Sequence, residues 1–124
     1  MYVVHYNIFE VIKLDQTIVQ NLKNELRRGT QILAVLSLLS NNQYGYSLLQ
    51  DLTDKNVSIE AGTLYPLLRR LETQGILISE WDTSESRPRK YYILSDEGSV
   101  VYQDLKDEWH KIVREMNEII GGDL

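Results

Sequence analysis

Between Thr30 and Leu39 the chain reads almost without a polar break. Ile32, Leu33, Ala34, Val35, Leu36, Leu38 and Leu39 follow one another with no charge among them. A run that apolar predicts a central buried helix. On either side the pattern changes from a run to stripes. Asp15 is placed to cap a preceding helix that runs to about Arg28, with Ile18, Val19, Leu22 and Leu26 on one side. Ser40-Asn41-Asn42-Gln43 reads as a turn. Gly45 to about Lys55 reads as the next helix, with Leu48, Leu49 and Leu52 inward, and Asn56 to Ile59 as a connection.

From Glu60 to Tyr92 the pattern changes period. On a helix at ~100° per residue, Leu64, Leu67, Leu68 and Leu71 share one face. Gly62, Pro66, Arg69 and Thr73 fall opposite, with Thr63, Tyr65 and Arg70 on the flanks. Gly75 ends the helix, because the residue past a helix end often takes a left-handed conformation that glycine adopts cheaply. If Glu60 is the cap, Pro66 lies in the second turn and withholds the bond to the residue 62 carbonyl. Gly62 then spares that turn further crowding. Two strand-like runs follow, Ile76 to Trp81 and Lys90 to Leu94, joined by the polar turn Asp82 to Arg89. Tyr91 and Tyr92 alternate faces, so one is expected in the core and the other outside. A helix with a basic outer face followed by a two-stranded ribbon is the reading half of a winged helix.

A last helix is expected from about Ser99 to Ile120, ended by Gly121-Gly122. Val101, Leu105, Ile112, Met116 and Ile119 recur at spacings near three and four, with Trp109 on the same side. Such a stripe on a terminal helix calls for a partner, either its own domain or a second chain. Residues 1–14 are the least readable part: Tyr2, Val3, Val4, Tyr6, Ile8 and Phe9 fit a short strand, an added helix or an extension packed on the surface. The whole divides into an extension with first helix (1–25), a DNA-binding unit (26–95) and a terminal helix (96–124), joined in one compact unit.

Composition changes the picture in three ways. With 124 residues there is material for one modest core. The absence of cysteine excludes a disulfide scaffold or thiolate site and agrees with a cytoplasmic location. No stretch reaches the ~20 apolar residues of a membrane span, and Met1 to Leu14 lacks the marks of a signal peptide. The net charge of −5 is unevenly spread: residues 96–124 hold eight acids against three bases, and the remainder is neutral. Arg69, Arg70, Arg87, Arg89 and Lys90 therefore stand out as a local basic cluster, which governs phosphate attraction more than the total does.

That cluster has a functional and a structural reading at each position. Arg69 and Arg70 are either ordinary solvated arginines or contacts to phosphates flanking a major groove, with the Thr63 and Tyr65 hydroxyls beside them. Ala61, Gly62 and Thr63 are small enough to approach thymine methyls or phosphates, and discrimination then depends partly on DNA shape. Arg87, Arg89 and Lys90 are either a solvated hairpin turn or a wing lying along the minor groove. His5 and His110 are the only histidines, too few for a metal cluster. No glycine-rich phosphate loop or histidine–carboxylate–serine pattern stands out, so neither an enzyme nor a cofactor is expected.

The segments Gly62-Thr63-Leu64-Tyr65-Pro66-Leu67-Leu68-Arg69-Arg70-Leu71-Glu72, Gly75-Ile76-Leu77 and Arg87-Pro88-Arg89-Lys90-Tyr91-Tyr92 closely resemble the PadR family of winged-helix transcriptional regulators. The resemblance extends back through Arg28-Gly29-Thr30 and Tyr44-Gly45-Tyr46, forward to Asp96-Glu97-Gly98, and covers roughly residues 26 to 120. One departure is Ser86, where the family usually has glycine. The resemblance implies a mainly α fold with a small β wing, a winged helix-turn-helix plus a C-terminal dimerisation helix. It adds Tyr46 and Pro66 to the candidate DNA-binding residues, beside Gly62, and implies a homodimer joined through Val101, Leu105, Trp109, Ile112, Met116 and Ile119. For the short drug-sensing branch it implies that Trp109, with Tyr102 in the wall, could sandwich a planar aromatic effector; the structural alternative is that Trp109 fills the seam. The resulting expectation is a sequence-specific repressor on an inverted-repeat operator in double-stranded DNA. The alternative is a winged-helix protein-interaction module.

Overall fold

The computed structural model describes residues 15–121. The elements are α1 (Gln16–Leu38), β1 (Gln43–Tyr44), α2 (Gly45–Asp54), α3 (Ala61–Thr73), β2 (Leu77–Asp82), β3 (Arg89–Leu94) and α4 (Asp96–Ile120). Expectations for residues 1–14, His5 among them, lie outside the described residues.

α1 corrects the expectation of two helices meeting near residue 29. It runs unbroken for 23 residues, capped by the Asp15 carboxylate, which accepts from the Thr17 N–H at 2.8 Å. Gly29 costs such a helix only about 1 kcal/mol relative to alanine, too little to break it between two good helix-forming segments. Thr30 donates its hydroxyl to the Arg27 carbonyl at 2.7 Å, so its polar group is satisfied inside the helix. The two halves of α1 differ in burial. Val35, Leu36 and the capping Leu39 are wholly buried, whereas Ile18, Leu22 and Leu26 are exposed.

The core is a leucine cluster where α1, α2 and α3 meet. Leu36, Leu39, Leu48, Leu52, Leu64 and Leu68 are fully buried, and Ile59, Leu71, Leu77 and Tyr92 close its edges. Each such side chain contributes roughly 1.5–3 kcal/mol by leaving water. Leu49 and Leu67, expected inward, sit at the cluster's margin.

The sheet is antiparallel with order β1-β3-β2. β2 and β3 pair from Leu77 opposite Leu94 to Asp82 opposite Arg89. The third strand begins at the last residue of the expected turn: Gln43 and Tyr44 pair with Tyr92 and Tyr91. Two residues carry no readable period, and only the β3 edge recruits them. Gly75 takes φ +78° and ends α3 as its position predicts.

α4 starts three residues earlier than expected. Ser95 caps it, accepting from the Gly98 N–H at 2.9 Å while donating to the Gly75 carbonyl at 2.6 Å. Asp96 and Glu97 occupy the first turn, where the helix dipole favours acids. A Cβ at Gly98 would lie 2.0 Å from the Ile76 carbonyl oxygen, so the crossing of α4 over the α3–β2 joint requires glycine there. Gly121, at φ +77°, closes α4.

Candidate nucleic-acid interface

α3 presents the predicted faces. It spans Ala61–Thr73 with Pro66 inside it and Glu60 at the N-cap, so the helix does not begin after the proline. Leu64, Leu68 and Leu71 point into the core, leaving Gly62, Thr63, Pro66, Arg69 and Arg70 exposed. Tyr65 is half-buried because its ring lies on Gly45: a Cβ at Gly45 would come within 2.6 Å of Tyr65 Cε1. The glycine between Tyr44 and Tyr46 thus lets α3 seat against the start of α2. Tyr46, one residue on, is 73% exposed.

The wing contributes unevenly. Arg87 is exposed at the turn. Arg89 leans back, with Nη2 3.6 Å from Glu85 Oε2 and its guanidinium 5.1 Å from the centre of the Tyr44 ring. Lys90 is tied back toward α3: its Nζ is 3.1 Å from Glu72 Oε1 and lies over Tyr92 and Trp81 at 5.3 and 6.0 Å. Together Tyr46, Tyr65, Arg87, Arg89 and Lys90 line a groove of about 670 Å³ between the start of α2, α3 and the wing.

Two polar networks hold the wing to the helices, and the motif residues alone did not reveal them. In the first, Tyr44 and Tyr91 stack with centroids 4.0 Å apart and share a hydroxyl–hydroxyl hydrogen bond. Tyr44 also donates to Asp82 Oδ2 at 3.0 Å. The bond with Tyr91, partial desolvation and the Asp82 carboxylate hold the Tyr44 proton, pushing its pKa well above the usual phenol value. Asp82 also accepts from the Ser84 N–H and hydroxyl at 3.0 and 2.6 Å. The Ser84 bonds, followed by Tyr44, hold its pKa down at about 2. Tyr91 therefore packs on Tyr44 instead of facing open solvent, while Tyr92 takes the core position. The Asp82-Thr83-Ser84 spacing is the one local signal of this network, since an aspartate often bonds the backbone two residues on.

In the second network Glu72, near the end of α3, accepts from the Ser79 hydroxyl of β2 and from Lys90 of β3. The Ser79 bond, then Lys90, lowers the Glu72 pKa, and Glu72 raises that of Lys90. The recognition helix and both wing strands thus meet at one carboxylate.

The far end of α4 has a different character. Tyr102 packs against the core and donates to Ser37 Oγ at 3.2 Å. Val101 is half-buried. Beyond them Leu105, Trp109, Ile112, Met116 and Ile119 are all exposed within the single chain, Trp109 at 38% and Ile119 at 75%. Trp109 lines neither the groove beside the wing nor a second one between α1 and α3. Among the described residues no group of His, Asp and Glu could hold a metal ion, and no helix is long and apolar enough to cross a membrane.

Comparison with known proteins agrees with this geometry. The Transcriptional regulator PadR-like family matches residues 32–104, more than half of the chain. A PadR family transcriptional regulator from Eggerthella lenta is 45% identical, with a TM-score of 0.81 over 87% of this chain and 96% of that one. A PadR-like transcription factor from Bacteroides fragilis is 33% identical, with a TM-score of 0.68 over 80% and 98%. A transcriptional regulator of Mycobacterium tuberculosis is 30% identical over 79% of this chain and 90% of its own length. With its winged helix-turn-helix, exposed basic recognition helix and following α4, this chain belongs to the PadR-like family of DNA-binding transcriptional regulators.

Proposed function

We propose that this regulator is a repressor that binds an inverted-repeat operator as a homodimer. The observation that carries the reading is the groove bounded by Tyr46, Tyr65, Arg87 and Arg89 beside the exposed face of α3. A duplex strand running along that groove meets hydroxyls from the helices and guanidinium groups from the wing. In this reading α3 enters the major groove. Gly62 and Pro66 approach base edges, Thr63, Arg69 and Arg70 contact phosphates, and Arg87 and Arg89 follow the adjacent backbone or minor groove. Lys90 lines the same groove of the protein and also keeps the wing against α3 through Glu72.

The homodimer rests on α4. Its exposed stripe from Leu105 to Ile119 carries more apolar surface than a lone helix end keeps in water. Pairing with its two-fold equivalent buries that stripe and sets two recognition helices on one face, which matches an inverted repeat. Repression follows when the occupied operator overlaps a promoter.

The test is a salt titration with a duplex selected from a random-sequence pool. Replacing Arg69 and Arg70 together by alanine is expected to weaken binding to selected and unselected duplexes alike. It should also flatten the dependence of log K on log salt by about 0.9 for each phosphate that the variant no longer neutralises. An unchanged slope in the double variant sinks the assignment of α3 as the reading helix.

A further inference from the structure

Arg28 and Gly29 have no part in the interface described so far, yet they line a groove of their own. This cleft, about 810 Å³, runs between α1 and α3. Glu25, Arg28 and Gln31 form one wall, and Thr63, Pro66 and Arg70 the other. Gln31 Nε2 donates to the Ser58 carbonyl just ahead of α3 at 3.2 Å, so the two walls are tied together. Among the described residues nothing lies within 4 Å of where a Cβ on Gly29 would stand, so none of them closes the cleft on the α1 side. Arg28 and Arg70 are both exposed, and neither guanidinium enters a salt bridge among the described residues.

We propose that this groove seats a backbone phosphate of the bound duplex, with Arg28 of α1 supplying a contact opposite Arg70 of α3. The inference rests on the reading of α3 as the recognition helix and extends the DNA footprint to a helix otherwise given to the core. Two guanidiniums without an ion-pair partner among the described residues face this cleft and outweigh the single carboxylate of Glu25 in its lining, so the cleft selects an anion. Arginine offers several donors in a planar fork suited to phosphate oxygens, and the Thr63 hydroxyl adds one more. A phosphodiester fits better than a free small anion because Thr63, Pro66 and Arg70 belong to the face of α3 that meets DNA. The cleft therefore lies along the strand that α3 straddles.

The experiment compares Arg28→Gln, Arg28→Lys and Lys23→Gln with the unaltered protein, on the selected duplex and on an unselected one, across a range of salt. Lys23 is exposed on α1 outside the groove and controls for bulk charge. Arg28→Gln is expected to lower the salt slope by about 0.9 per bound chain on both duplexes. Arg28→Lys should keep the slope, and Lys23→Gln should leave it unaltered. A second measurement replaces single phosphates by uncharged methylphosphonates: one substitution flanking each half-site should weaken the unaltered protein and leave Arg28→Gln unaffected. If Arg28→Gln keeps the full slope while the Arg69 and Arg70 double variant loses its share, the groove does not hold phosphate. An equal loss from Lys23→Gln likewise overturns the proposal, since bulk charge would then be the cause. If neither Arg28 nor the α3 arginines alter the slope, the recognition-helix reading itself fails.

Discussion

Lys90 Nζ lies 3.1 Å from Glu72 Oε1, joining the last turn of the recognition helix to the central strand of the wing. Ser79 of the edge strand donates to the same carboxylate. Both partners are about 30% exposed, at 29% and 31%, dry enough for the pair to outlast surface screening. Their pKa values move in the senses that favour the ion pair. Glu72→Ala is expected to cost about 1 kcal/mol of stability and to weaken DNA binding by loosening the angle between helix and wing. Lys90→Met should act through the same contact. A double-mutant cycle on unfolding midpoints and duplex affinity checks this: the double variant should be little worse than the worse single one. Strict additivity would mean the two residues act separately.

Asp82 provides a pH signature. Its folded pKa of about 2 is below the ordinary aspartate value, near ~3.9 in an unfolded chain. The depressed pKa means that the unfolded chain takes up the proton first as pH falls. The stability contributed is complete above about pH 4 and is lost as pH falls toward 2. Asp82→Asn removes this component. Unfolding followed over that range should show the two proteins differing by a constant amount above about pH 4, with the gap narrowing below it. A gap that widens on acidification would contradict the hydrogen-bond network assigned to Tyr44, Asp82 and Ser84.

Leu105→Glu with Met116→Glu is expected to yield monomers. Both side chains are part of the exposed stripe on α4, and burying two carboxylates in a seam without partners costs more than the seam returns. The folded domain itself should survive, because neither residue contributes to the core. Sedimentation velocity decides the matter, and a dimer that persists moves the interface elsewhere.

Trp109 separates seam from effector platform. In a Trp81→Phe background, which removes the exposed wing indole, a planar aromatic dye that stacks between two Trp109 rings should quench fluorescence and lower duplex affinity together. Reciprocity requires the DNA complex to bind the dye more weakly by the same factor. Trp109→Ala should then abolish dye binding and leave duplex binding nearly intact. Dissociation of the dimer by that substitution would make Trp109 a packing residue of the seam.

How much of this was legible in the sequence varies by element. Leu64, Leu68 and Leu71 recur at helical spacing, and that period alone defined the buried and exposed faces of α3. Gly75 and Gly121 marked helix ends because a left-handed residue is cheap only for glycine, and both show positive φ. The acidic bias of the last helix and the basic cluster around Arg69 and Arg87 are likewise properties of the linear chain.

Other features exist only once distant segments meet. Gln43 and Tyr44 become a strand because β3 offers an unpaired edge, and two residues have no period of their own to announce it. Gly29 looks like a boundary in the sequence. It lies within one continuous helix because the propensity cost of a glycine is small beside the packing of Val35, Leu36 and Leu39 further along. Gly98 is required by the carbonyl of Ile76, far back in the chain, which α4 crosses at close range. Lys90 reads as a wing cation from its neighbours in sequence, but its pairing with Glu72 is not written there, since an ion pair depends on distance in space. Periodicity and backbone chemistry are local and so are written in the chain. Close approach, strand pairing and charge pairing between remote residues are decided by the tertiary fold.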